Sequence, residues 1–206
     1  MKKYLPFVFT LLLMACSTGS DNNLEIMISQ EQLKLKADEF TPFKLTTDLS
    51  VLTPSERNMI PLLLKAAALM DEIFWKQAYG DKNDLISNTT NSDLLKFLLI
   101  NYGPWERLNN NAPFVAGYGE KPKGARFYPV DMTREEFENW NEPSKTDLYT
   151  LIRRDEAGKL QSIPYHIAFQ AEVTRASGLI RQAAELAEYE GLRNYLLKRA
   201  DALLSD

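Results

Sequence analysis

The chain has 206 residues, a net charge of −4, one histidine and one cysteine. Mild acidity excludes a nucleic-acid binder, which needs a basic patch to meet phosphates. A single imidazole excludes the ordinary catalytic zinc centre, which takes about three protein ligands and keeps one position open for water. Neither a Gly-x-Ser-x-Gly elbow nor a glycine-rich phosphate loop occurs.

The first sixteen residues read MKKYLPFVFTLLLMAC. Lys2 and Lys3 form a short positive region, and Tyr4 to Met14 is an apolar run. The run falls short of the roughly 20 apolar residues that cross a bilayer and has the length of a signal-peptide core. Leu13-Met14-Ala15-Cys16 has the form of a lipobox, with a small residue before the cut and a thiol to carry lipid. We therefore expect residues 1–15 to be a lipoprotein signal peptide and Cys16 to be lipidated. Residues 16–23 then form a small, polar tether. The expected location is the bacterial cell envelope, with membrane lipid attached through Cys16 and the choice of inner or outer membrane left open. Several acyl chains on one residue give stable anchoring where a single chain does not. Without residues 1–15, and so without Lys2 and Lys3, 191 residues remain and the net charge becomes −6. With Cys16 modified, no thiol is left for a disulfide, a nucleophile or a metal. The length suits one domain, or part of a larger one.

Along residues 24–206, Leu24 to Ile28 reads as a short strand, and Lys34 to Leu49 lacks a clean period and reads as irregular. Thr53-Pro54-Ser55-Glu56 opens a helix with a capping box and a proline at its first position. Met59, Leu62, Leu63, Ala66, Met70 and Ile73 continue it at helical spacing towards Gly80, with a kink expected at Pro61. A second helix spans about Ser92 to Asn101. Residues 101–131 read as a long loop, yet carry Tyr102, Trp105, Phe114, Tyr118, Phe127 and Tyr128, so packing must order it. Thr133 to Glu136 is another capping box, opening a short helix through Trp140. Leu148–Arg153 and Lys159–Ile163, joined by a turn, predict a β-hairpin. Pro164 to Tyr189 reads as a helix broken at Gly191. Leu192 to Leu204 reads as a last helix, and its uncapped end suggests a piece of something longer. The expected fold class is α+β, predominantly helical with a small antiparallel sheet.

Few side chains carry chemistry. Asp131, Glu135 and Glu136 could be a carboxylate site, but Glu136 reads better as a cap and the others as solvated. His166 reads as a surface or hydrogen-bonded structural residue, and Arg153-Arg154 as solvated. The aromatic loop is the best binding candidate. Tyr102 and Trp105 offer flat faces, Asn101 and Asn109 to Asn111 offer amides, and Arg107 offers a fork for a carboxylate. The same aromatics serve equally well to pin the loop to the core.

NYGPWERL (101–108), GARFYPVDMT (124–133) and LYTLIRR…GKL…PYHIAF (148–169), preceded by LTPSERNMIPLLLKAAALMDEIFWKQAYGD (52–81), resemble bacterial relatives of dipeptidyl peptidase III. These are zinc metallopeptidases. The resemblance runs from about residue 45 to the end. It implies that residues 24–206 are the N-terminal, non-catalytic region of a two-lobed peptidase and part of its lower lobe. Zinc is the cofactor of the full-length family. It is held there by a His-Glu-x-x-x-His helix, which does not occur in this sequence, and by a Glu-Glu-containing helix that in the family lies well after the matched region. No catalytic residue and no metal ligand carries over, and the chain alone is expected to be inactive. Asn101, Tyr102 and Trp105 carry over as substrate-binding candidates. The implied function is the N-terminal substrate-cleft portion of a lipid-anchored zinc exopeptidase, with peptides and a missing catalytic half as partners and no nucleic acid. The alternative is a stand-alone lipoprotein module that binds peptides or acts as a scaffold.

Overall fold

The computed structural model describes residues 24–206. The signal-peptide, tether and Cys16 expectations lie outside them. The order of elements is α1 (Gln30–Asp38), α2 (Pro54–Ala78), α3 (Lys82–Ile86), α4 (Ser92–Asn101), β1 (Trp105–Glu106), β2 (Ala112–Pro113), α5 (Arg134–Asn139), β3 (Thr150–Arg154), β4 (Leu160–Pro164), α6 (Tyr165–Ala168), α7 (Gln170–Leu186) and α8 (Glu190–Ala202). The protein is mainly helical, as expected, with two antiparallel two-stranded ribbons, β1–β2 and β3–β4. In the second ribbon Thr150 pairs with Pro164 and Arg154 with Leu160.

Helix α2 is the beam shared by two cores. It starts at the expected box: the Thr53 hydroxyl accepts from the Glu56 amide, and the Glu56 carboxylate accepts from the Thr53 amide. The helix runs on through Pro61, which is exposed, so the missing donor costs one ladder bond on the wet side. At the far end of α2, Trp75 and Tyr79 join Leu33 and Ala37 of α1, Leu94, Phe97 and Leu98 of α4, and Trp105, Phe114 and Val115 of the following loop. Earlier on α2, Met59, Ala66, Leu69 and Ile73 meet Val173, Ala176, Ala183 and Ala184 of α7, with Leu196 of α8 behind. Small residues on α7 let the helices approach closely. The Ser177 hydroxyl on that face donates to the Ala200 carbonyl at 2.8 Å. Each large side chain taken fully out of water, such as Phe97, contributes about 1.5–3 kcal/mol.

Several elements differ from expectation. Residues 34–38 are helical, because α1 begins at a Ser29–Gln32 capping box and buries Leu33 and Ala37. Two apolar residues one turn apart are too sparse a stripe to read as a period. Leu24 to Ile28 supplies only a bridge between Ile26 and Val115. The helix expected over 164–189 is two helices, parted at Phe169 (φ −120°, ψ 30°). Gly191 is not the breaker; it is the second residue of α8, where a Cβ would lie 2.7 Å from the Tyr189 ring.

Most of the apolar stripe of the last helix is covered within this chain, with Leu204 left exposed. Leu196 is buried, and Leu192 and Leu197 pack beside it against Met59. Leu203 packs under α2 and α7. Exposed apolar side chains lie elsewhere: Phe43 is 84% exposed, Leu45 88%, Val51 80% and Leu148 84%. Residues 41–48 belong to no regular element and make no backbone–backbone hydrogen bond among the described residues. No helix of the described residues is long and apolar enough to cross a membrane.

Candidate functional site

The aromatic loop leaves α4 at Tyr102, which sits in the left-handed region (φ 54°, ψ 42°) and caps the helix. Gly103 follows at φ 146°, and a Cβ there would lie 3.2 Å from the Trp105 ring. The turn folds the loop back on the end of α2, and the three residues singled out from sequence come together there.

Their roles divide. Asn101 is buried: its Nδ2 donates to the Phe97 carbonyl at 2.9 Å, and its Oδ1 accepts from the Arg107 amide at 2.9 Å. Trp105 is also buried, and its indole donates to the Gly119 carbonyl at 2.9 Å. Its ring lies 6.2 Å from Tyr79 and 6.1 Å from Tyr118. The Tyr79 and Tyr118 hydroxyls are 3.0 Å apart, and burial followed by that contact pushes the Tyr79 phenol upward. Tyr102 is the partly exposed member. Its hydroxyl donates to Asp71 at 2.5 Å, and this bond, with burial second, raises its pKa. Its ring meets Phe74 edge-on at 4.6 Å.

Phe74 extends this surface. The Arg107 guanidinium stands 6.0 Å from its ring on one side. On the other, Phe74 joins Met70, Tyr149, Tyr165 and Phe169 in lining an apolar groove of about 380 Å³ between α2, α7 and the end of α8. The groups this region leaves to a ligand are therefore Tyr102, Phe74 and Arg107. Asn101 and Trp105 hold the loop that presents them. Asp71 and Gly119 were invisible as partners in the sequence, since each lies 14 or more residues away.

The carboxylates near α5 are already spoken for. The Thr133 hydroxyl accepts from the Glu136 amide at 3.0 Å, which is half of the expected box. The Glu136 carboxylate turns away to Arg154, accepting from Nη1 and Nη2 at 2.8 Å each, and Asp131 accepts from Arg154 Nε at 2.7 Å. Arg154 is thus an ionic hub between α5 and the hairpin, where sequence suggested a solvated side chain. Its guanidinium holds the Glu136 carboxyl below the ordinary carboxylate value. Arg153 is not simply solvated either: its Nη1 donates to the Ile152 and Phe127 carbonyls, and burial, with Arg126 nearby, pulls its pKa down. His166 is hydrogen-bonded, with Nδ1 2.6 Å from Asp206 Oδ2 and its amide donating to the same carboxylate.

These contacts test the chain against zinc. One imidazole is tied to a carboxylate, two carboxylates face an arginine, and no group of three or more His, Cys, Asp or Glu among the described residues is placed to hold a metal. The described residues do not fit a zinc ion.

Comparison with solved structures sets these features in a larger frame. The chain superposes on DPP III from Caldithrix abyssi with a TM-score of 0.76 and 38% identity, over 84% of this chain and 34% of that one. The chain shares the fold of part of a dipeptidyl peptidase III. Dipeptidyl-peptidase III from Corallococcus sp. strain EGB gives a TM-score of 0.78 and 31% identity, over 85% of this chain and 35% of that one. In sequence the chain is 25% identical to Nudix hydrolase 3 of Arabidopsis thaliana, over 84% of this chain and 31% of that protein. No family model matches. The chain spans about a third of the length of the relatives it matches.

Proposed function

We propose that residues 24–206 are the N-terminal, substrate-holding part of the lower lobe of a dipeptidyl peptidase III-like zinc exopeptidase, inactive by themselves. The observation that carries this reading is the superposition on one third of two solved dipeptidyl peptidase III chains, at 38% and 31% identity. The partial coverage agrees with a chain that has one histidine and no His-Glu-x-x-x-His helix. In this reading the groove edge made by Tyr102 and Phe74 faces the peptide, with Asn101 and Trp105 fixing its position. The exposed Phe43, Leu45 and Leu148 meet the part of the enzyme that carries the metal.

The lipobox at Leu13 to Cys16 adds a location: the protein is held by lipid on Cys16 at the surface of an envelope membrane, and residues 17–23 space it from the bilayer. The catalytic part then lies in a longer form of this chain or in a separate polypeptide. The genome tests this directly. A downstream reading frame encoding His-Glu-x-x-x-His, whose product co-purifies with this chain and releases dipeptides, supports the proposal. A downstream region with no such frame, and no co-purifying zinc protein, would favour a stand-alone binding module.

A further inference from the structure

A buried indole, a phenol and a carboxylate stand in line at the seam between α2 and the end of α4. Trp75 is 2% exposed. Its ring centre lies 5.0 Å from that of Tyr102, the separation of aromatic rings in contact. The Tyr102 hydroxyl donates to Asp71 Oδ1 at 2.5 Å, and Asp71 is exposed. Asp71 precedes Trp75 by one turn of α2, so one helix carries both the buried ring and the base. Tyr102 reaches the two of them because it holds the left-handed conformation that ends α4. Its bond to Asp71, with burial second, raises the pKa of the phenol, which therefore keeps its proton in the resting protein.

The charges around this line favour one direction. Lys82 Nζ stands 5.4 Å from the centre of the Trp75 ring, and a positive neighbour raises the cost of any positive charge on the indole. At the other end the Asp71 carboxylate is placed to take a proton as it leaves Tyr102. The second group of rings has no such end. Trp105 lies 6.2 Å from Tyr79 and 6.1 Å from Tyr118, but those two hydroxyls bond each other at 3.0 Å instead of a carboxylate.

We propose that Trp75, Tyr102 and Asp71 form an oxidation relay, which carries the loss of one electron from the buried core to the surface. A one-electron oxidant, such as the carbonate radical, takes an electron from the Trp75 indole and leaves a radical cation. Tyr102 gives an electron to Trp75, and its phenolic proton passes to Asp71. The products are neutral Trp75, a neutral Tyr102 phenoxyl radical and a protonated Asp71, so charge and atoms balance. A thiol or ascorbate in solution then gives a hydrogen atom to the phenoxyl oxygen, and Asp71 returns its proton to water. Trp75 belongs to the core shared with α1 and α4, and the relay spares that ring from permanent oxidation. The inference stands on three side chains of this chain and does not require the peptidase reading.

The test is laser flash photolysis of the full chain in detergent micelles. An ultraviolet pulse ionises tryptophan, and dissolved oxygen takes up the ejected electron. The decay of the indole radical band is followed against the growth of the phenoxyl band. The parent should show a fast phase in which the second band replaces the first. Tyr102→Phe keeps the ring contact but has no phenolic proton, and it should lose that phase. Asp71→Asn still accepts a hydrogen bond but takes up no proton, and it should slow the phase about tenfold or more. Trp75→Phe should remove the same phase, and the double variant with Tyr102→Phe should remove no more. Tyr118→Phe should leave it in place. Circular dichroism matching the parent shows that each variant keeps the fold; if Trp75→Phe does not, the exposed Asp71→Asn decides. The relay is overturned if the parent shows no fast phase, if the phase survives Tyr102→Phe, or if Asp71→Asn leaves its rate unchanged.

Discussion

Asn101 invites the sharpest mutation. Its side chain is 3% exposed and bridges the Phe97 carbonyl, one turn back on α4, to the Arg107 amide, where the loop returns. Replacing it by alanine removes both bonds and leaves an amide N–H and a carbonyl short of partners in a region with little water. Each loss costs about 1–3 kcal/mol, of which the carbonyl, already in the helix ladder, gives the smaller share, so Asn101→Ala should destabilise by about 2–4 kcal/mol. For a domain of this size that lowers Tm by roughly 5–15 °C. Asn101→Asp separates the two bonds: the acceptor for Arg107 survives while the donor to Phe97 is lost and a charge is buried. The assay is urea and thermal unfolding of the chain and both variants, followed by circular dichroism. A Tm for Asn101→Ala within a degree of the parent would refute the role given to this amide. It would return Asn101 to the list of groups free to contact a peptide.

Three further outcomes follow from the geometry. Arg154 holds the Glu136 carboxyl below its ordinary value of 4.5, so this contact stabilises fully above pH 4.5 and is lost as pH falls through the lower folded value. Glu136→Gln should therefore melt below the parent at neutral pH and converge on it in acid; a gap that persists unchanged to low pH would contradict this. Cys16→Ser should abolish both membrane retention and lipoprotein processing, and a variant found in the membrane at mature size by fractionation would refute the anchor. Chymotrypsin should cut first after Phe43 or Leu45, which are 84% and 88% exposed on a segment that makes no backbone–backbone hydrogen bond among the described residues; early cleavage at Phe97 or Phe114 would contradict the two cores.

How much the sequence revealed depended on whether the signal was local. Helix α2 was legible because its capping box, first-turn proline and apolar spacing all lie within one segment. The hairpin was legible for the same reason. Helix α1 was hidden because only Leu33 and Ala37 face inward, and its capping box ends in glutamine rather than a carboxylate. The Arg154 hub was hidden because its partners lie 18 and 23 residues away and meet it only in the folded state. The last helix shows the limit from the other side. Its leucines were visible, but the surface that receives them is a run of alanines on α7, which reads as nothing in particular. At the aromatic loop, sequence found the right segment and left its role open. The structure uses Asn101 and Trp105 internally and leaves Tyr102 at the surface.

The proposed reading is that residues 24–206 form one part of a dipeptidyl peptidase III-like enzyme and are inactive by themselves. Its most direct test is to purify the chain, measure zinc by elemental analysis, and assay release of N-terminal dipeptides from a dipeptidyl-arylamide. The account predicts less than stoichiometric zinc and no metal-dependent release, because the chain has one imidazole and its described residues bring no three His, Cys, Asp or Glu together to supply about three ligands and an open position. Stoichiometric zinc with turnover that a chelator abolishes would contradict it.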